Sequence, residues 1–148
     1  MAKTIFDPIA RAALFGRIDR LDAEATARWG SFTPPKMLAH LIEAVRMALG
    51  DLPVPRRRSI LGNRVVRYLV IHVFPFPRGA PTAPQLLARA PEDWAADAAA
   101  LKAVIDRAAG QAAGGTWQPH PVFGDLSTAD WGVMIFKHTD HHLTQFGV

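Results

Sequence analysis

Three of the six histidines of this 148-residue chain lie close together near its end: His138, His141 and His142. His138 and His142 are four residues apart, so on a helix they share one face. Two imidazoles at that spacing can hold one metal ion, as the helical histidine pairs of zinc proteases do. His141, three residues from His138, could take the place of His142. The preferred choice is His142, because positions 138, 142 and 145 continue a stripe begun by Trp131 and Ile135. A third ligand must come from elsewhere, and His40, set among Met37, Ala39, Leu41 and Ala44, is the candidate. Three neutral imidazoles suit Zn²⁺, Ni²⁺ or Fe²⁺ and leave coordination positions open. An open position is what catalysis by a metal requires. Each histidine also has a plainer reading, as a core residue bonded to backbone or carboxylate groups.

Two further residues could support such a site. Gln145, one turn past His142, could hold a ring N–H or a bound water. Glu43, three residues past His40, is the nearest candidate carboxylate, with a surface position as its plain reading. Asp140 points to another face. His120, before Pro121, could reach the site as a fourth ligand or proton donor, or simply brace its loop. His72 has no assigned place.

These residues need helices to position them. Apolar residues Ile5, Ile9, Ala12, Ala13, Ile18 and Leu21 recur at helical spacing over Thr4 to Leu21, with Asp7-Pro8 near the start. Trp29-Gly30-Ser31 breaks the pattern. Thr33 reads as an N-cap with Pro34 at the first helical position, and Met37 to Leu49 carry a second helix closed by Gly50. Arg56 to Val73 suits a third helix, although its Val and Ile content also suits a strand. Pro75, Pro77, Gly79, Pro81 and Pro84 predict an irregular loop. Pro91-Glu92-Asp93 opens another helix with Trp94, Ala98, Leu101, Val104, Ile105 and Ala108 on one face. Ser127 and Asp130 form a capping box for the last helix, with Asp in place of Glu. The expected fold is all-α, a four-helix bundle. A long crossover connection between its second and third bundle helices carries an extra short helix.

Composition narrows the functional classes. Hydrophobic residues make up 49% and charged residues 20%, ordinary for one globular domain spanning residues 1–148. Cysteine is absent, so any metal site must use His, carboxylate and water, and nothing places the protein outside the cytoplasm. No apolar run is long enough for a bilayer, and no signal peptide is visible. The net charge of +4 is a weak argument for nucleic acid. The run Arg56-Arg57-Arg58, with Arg64 and Arg67, could contact phosphate, nucleic acid or a membrane surface; a solvated helix end is the reading favoured here. There is no phosphate-binding glycine loop and no nucleophile-elbow serine.

The closing segment His138-Thr139-Asp140-His141-His142-Leu143-Thr144-Gln145 resembles the last motif of the DinB/YfiT-like metal-binding bundle superfamily. Trp29-Gly30-Ser31-Phe32-Thr33-Pro34-Pro35-Lys36-Met37-Leu38-Ala39-His40-Leu41 is similar to its second-helix motif. HPVFGDLSTADWGVMIFKHTDHHLTQFGV and PTAPQLLARAPEDWAADAAALKAVID resemble an uncharacterised bacterial branch of that superfamily. The resemblance covers most of the chain and is weakest over Val54 to His72. It implies an up-down-down-up bundle, frequent homodimers, and a metal site formed by His40, His138 and His142. Some relatives are thiol S-transferases, others metal-dependent isomerases or hydrolases. The expectation is therefore a divalent-metal-dependent enzyme, with thiol transfer onto a small molecule as the first guess. The alternatives are a hydrolase and a non-catalytic, stress-related binding protein.

Overall fold

The computed structural model describes residues 1–148, and its regular elements are all helical. The long helices are α1 (Pro8–Arg20), α2 (Pro34–Leu49), α4 (Trp94–Ala109) and α5 (Thr128–Gln145), with the five-residue α3 (Arg64–Tyr68) between α2 and α4. Helix α2 packs against α4 and α5, and α1 packs against α5 and α4. One continuous apolar core runs between them, and it includes Ile5, Leu14, Leu38, Leu41, Leu101, Ile105, Trp131 and Leu143.

Local chemistry sets the helix ends. The Asp7 carboxylate accepts the Ile9 N–H at 2.9 Å, and Pro8 follows where its missing N–H leaves no donor unpaired. Helix α1 therefore begins later than the expected Thr4. Its buried stripe is Ala10, Leu14 and Ile18, one turn apart, whereas Ile9 is 80% exposed and Ala12 and Ala13 face solvent. Ile5 is fully buried but lies ahead of the helix, on a stretch whose N–H donates to the Gly132 carbonyl at 3.2 Å. The expected face was thus rotated, because Ile5 belongs to a different element.

Helix α2 is buried almost all round, from Met37 to Val45, as befits the central helix of a small core. Thr33 occupies its N-cap with no side-chain bond. At the other end Gly50 adopts φ 86°, and its N–H reaches the Arg46 and Met47 carbonyls. Asp93 caps α4 by accepting the Ala96 N–H at 2.9 Å, so Pro91 and Glu92 stand just outside it. At α5 the full capping box forms: Ser127 Oγ accepts the Asp130 N–H at 3.1 Å, and the Asp130 carboxylate accepts the Ser127 N–H at 3.2 Å.

The connection from α2 to α4 holds neither a strand nor one continuous helix. A 3₁₀ turn at Ile60–Gly62, then α3, then a π turn at Leu69–Val73 follow one another. A second 3₁₀ turn, Pro84–Leu87, interrupts the proline-rich stretch expected to be irregular. Lys137 of α5 ties down the end of the π turn: its ammonium donates to the carbonyls of Val70 at 2.8 Å, Ile71 at 3.0 Å and Phe74. His72 donates from Nε2 to the Asp130 carboxylate at 2.7 Å, so the capping residue of α5 holds this segment as well. No helix is long and apolar enough to cross a membrane.

Replacing Ser127 with Ala removes the oxygen that accepts the Asp130 N–H. The expected loss is about 1 kcal/mol of unfolding free energy in urea, with an unchanged m-value.

Candidate metal centre

Helices α2 and α5 bring His40, His138 and His142 to one point, with one nitrogen from each ring within 4.8 Å of the others. His40 is 3% exposed and His142 7%; His138 is partly buried. The His40 and His138 Nε2 atoms are 3.1 Å apart. Two nitrogens bound to one ion at about 2.0–2.1 Å would lie about 2.9–3.4 Å apart for octahedral or tetrahedral angles, so His40 and His138 are spaced as two ligands of one divalent cation would be, and His142 lies close enough to join them.

Hydrogen bonding fixes which nitrogens face inward. His40 Nδ1 lies 3.2 Å from the Leu86 carbonyl. A carbonyl only accepts, so Nδ1 carries the proton and Nε2 offers a lone pair. For His142 the argument runs through Gln145. The Gln145 Nε2 donates to the Trp29 carbonyl at 2.6 Å, which orients the amide and turns its Oε1 toward His142 Nδ1 at 2.8 Å. That oxygen also only accepts, so His142 likewise holds its proton outward and its Nε2 lone pair inward. Gly30, at φ 74°, permits this approach: a Cβ there would stand 2.9 Å from Gln145 Nε2.

Aromatic rings enclose the cluster. Phe32 stacks on His40 with centroids 5.2 Å apart and meets His142 edge-on at 5.4 Å. Phe76 packs against His138 at 5.8 Å. Burial in this apolar shell lowers the pKa of all three rings. His142 is pushed down to about 3, and His138 falls well below its ordinary value, with the neighbouring histidines adding to the effect of burial. All three are therefore neutral near pH 7, which is the form that can donate to a metal.

The other expected residues fall elsewhere. Glu43 is buried rather than at the surface, and its polar partners are arginines, not histidines. Its carboxylate accepts from Arg46 at 2.8 Å and lies 3.7 Å from Arg89. Arg89 also sits 3.5 Å from the buried Asp97 of α4. Glu43 thus serves the site indirectly: Arg89 links α2 and α4 to the segment whose Leu86 carbonyl holds His40. The signal for Leu86 was hidden, because the group that acts is a backbone carbonyl. His120 braces its own loop, with Nδ1 accepting the Val122 and Phe123 N–H groups, both at 3.2 Å. Asp140 pairs with Arg17, away from the cluster.

His141 turns outward to a cleft of about 560 Å³ along α5, shared with Trp29, Phe76 and Arg78. Its ring meets His142 edge-on at 5.1 Å and Phe76 at 6.1 Å, so His141 and Phe76 stand between cleft and cluster. The Arg78 guanidinium lies 4.1 Å above the Trp29 ring.

Fold and site together define an all-helical protein with three convergent histidines. The chain belongs to the family described as protein of unknown function (DUF1569), whose model matches residues 9–147 and so takes in every residue of the cluster. Neither a curated protein nor a solved structure matches it.

Two predictions concern this region. Arg89→Met leaves Glu43 and Asp97 buried without that cation, and the expected loss is about 3 kcal/mol in chemical denaturation. The second concerns acid. Unfolded, the histidines take up protons near 6.5; folded, His120 resists until about 4 and His142 until about 3. The unfolded chain binds more protons across that window, so stability is complete above about pH 6.5 and falls as pH drops toward 3–4. Thermal melts of the metal-free protein should show this slope. His120→Asn, which keeps an acceptor for the loop N–H groups, should make it shallower by about one proton.

Proposed function

We propose that this chain is a divalent-metal-dependent enzyme on a four-helix bundle of the DinB/YfiT kind, with His40, His138 and His142 as the metal ligands. The observation that carries the reading is the orientation of His40 and His142. Each gives its Nδ1 proton to an oxygen outside the cluster and turns a lone pair inward. The nitrogens left facing the cluster are then the unprotonated ones, the form that ligates a metal. The pairwise packing of α1, α2, α4 and α5 supports a bundle. The long connection before α4 suits an up-down-down-up order, because parallel neighbours require a crossover.

Catalysis is favoured over a structural metal because no fourth protein ligand is at hand. His120 spends Nδ1 on its loop, and Glu43 is taken by arginines. A three-ligand set keeps the ion open, whereas structural zinc sites are usually closed by four. A bound ion would make a thiol or water in the open position acidic enough to react near neutral pH. The chain's own residues supply the rest. Arg78 places a positive charge at the cleft for an anionic small molecule. His141, its pKa lowered by burial and then by Arg78, is a neutral base able to accept a proton in the cleft. Transfer of a low-molecular-weight thiol to an electrophile is the first reaction to test, and hydrolysis the second. A homodimer acting on a small molecule completes the reading.

Elemental analysis of the purified protein is expected to give about one equivalent of Zn, Ni or Fe, absent from a His138→Ala/His142→Ala variant. Gln145→Leu should weaken metal affinity about 10–100-fold while leaving the fold intact. Thiol consumption with an electrophilic acceptor should follow metal content. No metal uptake after incubation with all three ions would sink the proposal.

A further inference from the structure

The connection between α2 and α4 carries two features that the metal site does not use. The first is charge. Arg56, Arg57, Arg58, Arg64 and Arg67 line one open groove of about 980 Å³, with Asp125 as its only carboxylate. None of the five arginines pairs with a carboxylate. Arg67 donates instead to the Phe123 and Asp125 carbonyls, at 3.2 and 2.8 Å, which leaves its charge uncompensated. The second feature is apolar exposure. Of eight large hydrophobic residues exposed in the whole chain, six fall on this connection; Val73 and Phe74 line the cleft beside His141, while Ile60, Val65 and Tyr68 lie among the arginines in the sequence. These three are 77%, 67% and 60% exposed.

A solvated helix end accounts for arginines alone. It does not account for aliphatic and aromatic side chains placed in water beside them, because a solvated face is polar throughout. We propose that this segment docks on a membrane surface rich in anionic lipid. The arginines meet the headgroup phosphates, and Ile60, Val65 and Tyr68 enter the boundary with the acyl chains. Val65 and Tyr68 are three apart on α3 and so share a face. Cationic and apolar residues combined on one short segment are the composition of interfacial anchors.

Charge complementarity selects this occupant over two others. A second copy joined through a two-fold axis would set the arginine groove against itself. A nucleic acid would satisfy the arginines but offers no apolar phase for Ile60 and Val65. The contact is peripheral, since no helix is long enough to span.

The test is co-flotation of the full chain with phosphatidylcholine vesicles and with vesicles that also contain phosphatidylglycerol. Binding is expected only to the second, and it should weaken as salt rises. Replacing Arg57 and Arg58 with Gln should lower partitioning about fivefold per residue. Ile60→Ser and Val65→Ser should each lower it about tenfold and leave the salt dependence unchanged. Both side chains are exposed, so circular dichroism and metal content should match the parent. Failure of the folded parent to float with anionic vesicles at low salt overturns the proposal. So does equal affinity for duplex DNA that is indifferent to the two serine substitutions. A dimer in solution that dissociates on Ile60→Ser or Val65→Ser would assign the face to a second copy and overturn it as well.

Discussion

Three imidazoles gathered in an apolar core cannot be charged. Mutual repulsion and the loss of water both act against the protonated form, and they act on all three at once. Neutral rings still carry one N–H each, and a buried N–H must find an acceptor. The arrangement around the cluster follows from that requirement. The Leu86 carbonyl serves His40 and the Gln145 side chain serves His142. Each acceptor is itself held: Leu86 by a turn that Arg89 ties to α2 and α4, and Gln145 by the Trp29 carbonyl beside a glycine that leaves it room. Support for the histidine cluster thus extends well beyond the two helices that carry it.

The parts of this scheme that depend on local spacing were legible in the sequence. The four-residue interval of His138 and His142, the Ser127–Asp130 capping box, Thr33-Pro34 and Gly50 are short-range signals, and each corresponds to a local hydrogen bond or dihedral angle. The link from Gln145 to His142 is equally local, three residues along one helix, whereas His40 could be named only as a candidate, because its meeting with the last helix spans 98 residues. What depends on tertiary contact was not legible. Nothing local marks Leu86 as the partner of His40, since any residue supplies a carbonyl. Glu43 and Asp97 look like surface acids until Arg89 is placed between them. The α1 face was misjudged because Ile5 is fully buried from outside the helix, while Ile9 occupies a helical position that faces solvent.

The stretch between α2 and α4 does more than join them. It supplies the acceptor for His40, the Phe76 ring against His138, and one wall of the cleft along α5, from Ile71 to Arg78. Its helical path is broken, a 3₁₀ turn followed by α3 and a π turn, and of these elements only the π turn contributes a buried residue, Ile71. The family shared by residues 9–147 includes this whole stretch together with the histidines.

The bonds from Lys137 to the Val70, Ile71 and Phe74 carbonyls join that stretch to the residue immediately before His138. An ammonium held by three carbonyls resists being pulled free, because separation would leave the charge and three acceptors unpaired. Segment and helix are therefore mechanically coupled. A force applied to the exposed side of residues 64–74 is carried through one side chain to the edge of the histidine cluster, and a load on the cluster returns along the same strut.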